Sequence, residues 1–115
     1  MIAVERVQDV VARYLLLKGS EAQPHAPTQL EQSSAEWAER RNRGYALRDM
    51  GGYVKSLPDD DPRVRWLSHF IRDGEFVPDS ELINLLGRIN AVRDPGFELD
   101  QAIAICDPGW SRLEK

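Results

Sequence analysis

Cysteine is all but missing from this 115-residue chain: Cys106 stands alone. A single thiol excludes an intrachain disulfide, and the simplest expectation is a reducing compartment, the cytoplasm. Long apolar runs are missing too. No stretch of eighteen apolar residues occurs, so no membrane span is expected. Glu5, Arg6, Asp9 and Arg13 interrupt the N-terminal apolar stretch where a signal-peptide core needs continuity. An excess of positive charge is also absent. Fifteen Lys and Arg face nineteen Asp and Glu, for a net charge of −4. Phosphate binding needs a concentrated positive field, so a protein that coats nucleic acid with its whole surface is excluded.

Metal-site patterns are equally scarce. His25, His69 and Cys106 are the nitrogen and sulfur donors available, with no C-x-x-C, H-x-x-x-H or H-E-x-x-H spacing. The acidic run Asp59-Asp60-Asp61 lacks the alternating oxygens, central glycine and terminal glutamate of a calcium loop, and Pro62 follows at once. Neither G-x-x-x-x-G-K nor G-x-G-x-x-G is present to cradle a phosphate. No G-x-S-x-G presents a nucleophilic serine. Cys106 lies in an apolar stretch beside Ile103 and Ile105, where a thiol pKa rises and reactivity falls. These readings give no catalytic residue, no cofactor and no metal.

What is present is patterned for helices. Apolar residues make up 42% of the chain and charged residues 30%, ordinary values for one globular domain. Residues 2–18 carry Val4, Val7, Val11, Tyr14 and Leu15 on one helical face, and Gly19 offers a stop. Residues 19–32, with Pro24 and Pro27, read as a long loop. A second helix opens at Ser33 or Ser34, where Ser33 and Glu36 have capping-box spacing. Its periodic run passes Leu47, Met50, Val54 and Leu57, and Gly51-Gly52 either breaks it or admits a close neighbour. Asp61 and Pro62 suit the cap and first position of a third helix, expected to run to about Asp73 and end at Gly74. Asp79 or Ser80 caps a fourth, with Leu82, Leu85, Leu86 and Ile89 as its stripe, closed by an Asp94-Pro95-Gly96 turn.

Residues 97–106 fit both a helix and period-two alternation. Helix is preferred because no other strong strand exists to pair with a ribbon. Asp94-Pro95-Gly96-Phe97 is echoed by Asp107-Pro108-Gly109-Trp110, read as two turns whose aromatic residues fold back onto the core. The tail beyond Trp110, residues 111–115, is expected to fray. The expected fold is therefore all-α, a single domain over residues 1–115. It is a compact bundle of four to five short helices joined by Pro/Gly-rich turns.

One constellation stands out as a binding face. On a helical wheel Trp37, Arg41, Arg48 and Lys55 fall within about 40° of one another, with Arg40 adjacent and Gly44 alongside. Such a stripe is either a solvated helix face or a docking surface in which Trp37 fills a partner pocket and the arginines engage carboxylates. Trp66, at the edge of the third helix's apolar face, is a further interface candidate. The leading functional expectation is a non-enzymatic protein-interaction module, an adaptor or regulatory subunit that docks a partner or self-associates. The alternatives are a nucleic-acid-binding regulator using the same arginine-bearing helix in a groove and a small enzyme of unknown class, which would have to rely on carboxylates and His69.

Overall fold

The computed structural model describes residues 5–22, 25–87 and 94–110. Among them are six helices and one short ribbon. In chain order these are α1 (Val7–Glu21), α2 (Gln29–Gln32), α3 (Ala35–Lys55), α4 (Pro62–Ser68), β1 (Ile71–Arg72), β2 (Glu75–Phe76), α5 (Ser80–Gly87) and α6 (Pro95–Cys106). The all-α class holds. Residues 97–106 fall in α6. The tail 111–115 and the last expected turn of the fourth helix, 88–92, lie outside the described residues.

The core forms where the apolar stripes meet. Val11 and Leu15 of α1, Leu47, Met50 and Val54 of α3, Leu67 of α4, Leu82 and Leu86 of α5, and Leu99 and Ile103 of α6 are all essentially removed from solvent. Helices this short are marginal alone in water, so this shared apolar burial holds them.

The contact between α1 and α3 is the most extensive among the described elements. Gly19 lies against Gly44 and Arg48, while Gly51 lies against Ala12 and Leu15, so the two helices run antiparallel. Their backbones meet closely at the glycines. A Cβ on Gly19 would sit 2.8 Å from the Gly44 carbonyl oxygen, and one on Gly51 would sit 3.3 Å from the Ala12 carbonyl. This contact explains one departure from the sequence reading and decides one alternative left open by it. Gly19 does not stop α1, which continues to Glu21. Gly51-Gly52 does not break α3, which is continuous over 21 residues. In both places tertiary packing outweighs a propensity loss of roughly 1 kcal/mol per glycine.

The expected loop 19–32 is correspondingly shorter and contains α2. Its N-cap is Thr28: the Thr28 hydroxyl accepts from the Glu31 N–H and the Glu31 side chain accepts from the Thr28 N–H. The capping box is thus here rather than at Ser33-Glu36. Ser34 caps α3 alone, accepting from the Trp37 N–H.

The third helix also ends earlier than expected, at Ser68. Asp73 (φ 53°) and Gly74 (φ 79°) both adopt positive φ, the requirement of a two-residue type I′ hairpin turn. They reverse the chain so that Ile71 pairs with Phe76 and Arg72 with Glu75. Phe76 is buried and meets Tyr14 edge-to-face at 5.3 Å, which anchors the ribbon to α1.

Asp94-Pro95-Gly96 opens α6 instead of forming a separate turn. Asp94 accepts from the Phe97 N–H, and Pro95 takes the first helical position. Of the two echoed aromatics only Trp110 packs against the core. Phe97 is 55% exposed.

One charge is buried within this framework. The Arg63 guanidinium is 7% exposed and held on several sides. Its Nε and Nη2 donate to the two Asp61 carboxylate oxygens at 2.9 and 2.8 Å, and Nη1 donates to the Tyr53 hydroxyl. Asp100 lies 3.8 Å away. The Asp61 carboxylate raises the Arg63 pKa above its ordinary value, with burial opposing. The cluster ties α3, α4 and α6 together.

Two outcomes test this packing by urea unfolding. Gly19→Ala should lower stability by about 1–3 kcal/mol, because a backbone oxygen blocks the new methyl; an unchanged midpoint contradicts the close approach. Arg63→Met should cost about 3–5 kcal/mol by removing the guanidinium that neutralises the Asp61 carboxylate. A loss below about 1 kcal/mol would remove Arg63 as a structural tie.

Candidate functional site

The predicted stripe on α3 divides in two. Trp37 is not a free anchor: it is 4% exposed. The His25 ring lies 5.1 Å from its ring centroid and the Arg40 guanidinium 5.4 Å from it. His25 is itself held by Glu31, Nε2 to Oε1 at 3.1 Å. His25 and α2 therefore cover the start of α3. Trp37 and Arg40 belong to that contact.

The remainder forms a regular exposed ridge. Arg41, Tyr45, Arg48, Gly52 and Lys55 recur at alternating four- and three-residue spacing along one side of the continuous α3. Arg41, Gly52 and Lys55 are exposed, and Tyr45 is 51% exposed. Arg48 is half-buried. Its guanidinium stacks 5.4 Å from the Tyr45 ring centroid, and its Nε donates to the Gly44 carbonyl at 3.4 Å. Leu16 of α1, 41% exposed, borders the ridge, with its Cγ 3.6 Å from the point where a Gly51 Cβ would lie. Lys55 stays on the ridge because the helix does not break. Neither Arg41 nor Lys55 has an ion-pair partner among the described residues. Arg43, by contrast, donates to Asn84 of α5 at 2.9 Å.

Gly52 is the feature that sequence reasoning did not resolve. A Cβ there would meet nothing within 4 Å, unlike the crowded positions at Gly19 and Gly51. The ridge thus has a bare backbone step between Arg48 and Lys55.

Trp66 lies elsewhere. With His69, Phe70, Cys106 and Asp107 it lines an open cleft of about 420 Å³ between α4 and the C-terminal end of α6. The Trp66 indole N–H donates to Asp107 Oδ2 at 2.9 Å, and the Gly109 N–H donates to Asp107 Oδ1 at 3.2 Å. His69 Nδ1 lies 3.1 Å from the Trp66 carbonyl oxygen, which fits an N–H donating there. A cysteine, a histidine and an aspartate thus share one cleft, but not as a relay: Asp107 serves Trp66 and Gly109, and His69 Nδ1 faces a carbonyl. Burial first, then the negative charges of Glu81 and Asp79, pushes the Cys106 thiol pKa up, away from the thiolate that nucleophilic attack requires.

The acidic run is dispersed. Asp59 Oδ1 accepts from Gln8 at 2.7 Å and Arg6 at 3.2 Å, while Asp61 caps α4 and holds Arg63. No cluster of three metal-binding side chains occurs among the described residues, and no helix among them is long and apolar enough to cross a membrane. No known protein family matches the chain, and no curated protein or solved structure shows significant similarity to it.

The cover over Trp37 carries a pH dependence. The Thr28 N–H, and then His25, hold the Glu31 carboxyl below the ordinary glutamate value. A depressed folded-state pKa stabilises above the unfolded value, and that contribution is lost as pH falls through the folded one. The Thr28 amide proton resonance should therefore titrate with a midpoint below about 4.3, the free glutamate value. A midpoint at or above it would show that the capping box does not persist in solution.

Proposed function

We propose that this chain is a non-enzymatic interaction module whose α1–α3 ridge docks an acidic amphipathic helix of a partner protein. The observation that carries this reading is Gly52. An exposed glycine in a helix interior costs roughly 1 kcal/mol relative to alanine, and nothing in the packing of the described residues requires one there. A partner backbone approaching over that step would require it, as the α1 backbone does at Gly51.

The chemistry of the surroundings supports the same reading. Arg41 and Lys55 lie at the two ends of the ridge without anionic partners among the described residues. Tyr45, with Arg48 stacked on it, and Leu16 supply apolar and aromatic area between them. Tyr and Arg are the residue types that most often carry interface energy. The pairing of leucine and tyrosine with well-separated cations suits a helix with carboxylates flanking an apolar stripe better than it suits a phosphate backbone, which demands denser charge.

The ridge is tested with a photo-crosslinking benzophenone side chain in place of Tyr45, in an otherwise unaltered chain and in a second carrying Arg41→Glu and Lys55→Glu. The expected outcome is crosslinks to acidic helical segments of another protein, lost in the charge-reversed chain, while both chains unfold at the same urea concentration. Crosslinks that survive charge reversal, that join two copies of this chain, or that fall on nucleic acid would overturn the proposal. Gly52→Ala adds a second check. It should raise stability by about 0.5–1 kcal/mol while weakening capture of the same segment, and undiminished capture would remove the role assigned to the bare step.

A further inference from the structure

We propose that the cleft between α4 and the end of α6 is a binding site for an organic ammonium group, a positive charge carried on apolar carbon. The site is independent of the α1–α3 ridge and shares no residue with it.

Its walls and its field point the same way. Trp66 and Phe70 stand 5.0 Å apart at a 60° tilt, forming an aromatic corner on one side of the opening. Both are half-buried, packed against the core on one side and lining the cleft on the other. The electron-rich face of an aromatic ring attracts a cation, most strongly for tryptophan, and a pair of rings at an angle is a recurrent way to hold an ammonium whose carbon substituents prevent full hydration.

Beside the Trp66 ring lies Asp107, whose carboxylate is fixed by the Trp66 indole and the Gly109 N–H. Two donors orient it, and a carboxylate has further lone pairs to offer. Asp107 is also the C-cap of the twelve-residue α6, the end at which the helix dipole presents partial negative charge and favours cations. Negative potential reaches the cleft wall from a third source. Asp79 and Glu81, just before and within the first turn of α5, both act on the Cys106 thiol and favour its neutral form.

This combination selects among ligand classes. An anion would meet a carboxylate and a helix C-terminus. A bare metal ion would find no group of three donor side chains placed to hold it among the described residues. A neutral apolar molecule would leave the field unused. A substituted ammonium satisfies rings and carboxylate together.

The test uses the full chain and tetramethylammonium chloride as probe, followed by the Trp66 indole resonance and by the rate at which iodoacetamide alkylates Cys106. Binding should move the Trp66 indole saturably and slow alkylation of Cys106. Asp107→Asn removes the charge while its amide oxygen can still accept from one of the two donors, and should weaken binding about tenfold, equivalent to 1.4 kcal/mol. Trp66→Phe should weaken it while retaining a ring. An indole that does not shift, an equal response to uncharged tert-butanol, or unchanged affinity in Asp107→Asn would overturn the site. A peptide bearing trimethyl-lysine distinguishes the source. Tighter binding than the free ion identifies a protein side chain as the ligand, and equal or weaker binding identifies a small molecule; each supports the cation site.

Discussion

Everything in this fold is arranged around two helices that touch backbone to backbone. Where Gly19 meets Gly44, and Gly51 meets Ala12, there is no side chain to hold α1 and α3 apart. That closeness brings Val11 and Leu15 against Leu47, Met50 and Val54 as one apolar floor on which the remaining elements rest. Valine-rich α1 is a weak helix former by itself. It is held by the floor, and the floor exists because the glycines let it close.

The second tier of organisation is polar. Arg63 is the buried cation that joins three helices through Asp61, Tyr53 and Asp100, and the room for Tyr53 is made by Gly96: a Cβ there would stand 2.7 Å from the phenol oxygen. A buried ion pair is poor evidence of net stability, since the cost of desolvating both charges offsets much of their attraction. Its effect is directional. A bidentate guanidinium–carboxylate pair with a phenol on its third side accepts little variation in how α4 and α6 sit. From α4 an aromatic series of Trp66, Phe70, Phe76 and Tyr14 continues through the hairpin to α1. The cleft at Trp66 is thus built on rigid elements.

Helix existence was legible in the sequence because it is a local property. The 3–4 spacing of Val7, Val11, Tyr14 and Leu15, and of Leu82, Leu85 and Leu86, needs no partner to be seen. The Asp61-Pro62 cap was legible for the same reason. Its twin at Asp94-Pro95 was read as a turn because Gly96 follows, and Asp-Pro-Gly satisfies both descriptions until packing against Tyr53 decides. The hairpin was hidden because Phe70 and Ile71 extend a helical stripe begun by Val64 and Leu67, so the Asp73-Gly74 turn signal was overridden. Gly19 was misread as a stop because its reason lies across space: nothing near it in the chain announces Gly44. Trp37 was taken for a surface anchor because its cover, His25, comes from a connector whose path no periodicity specifies. The ridge of Arg41 and Arg48 was found by spacing alone. Its bare step at Gly52 required knowing that Gly51 was already spoken for.

Adjacent glycines therefore serve opposite surfaces, one turned into α1 and the other outward. The most direct measurement is of proton–proton contacts in solution between Gly19 and its counterparts on α3, by nuclear Overhauser spectroscopy on the intact chain. The account predicts strong contacts from the Gly19 α-protons to the Arg48 side chain and from the Gly51 α-protons to Leu15. Assigned resonances with no such contacts would mean that the two helices do not meet at their glycines, and the floor and the ridge would fall together.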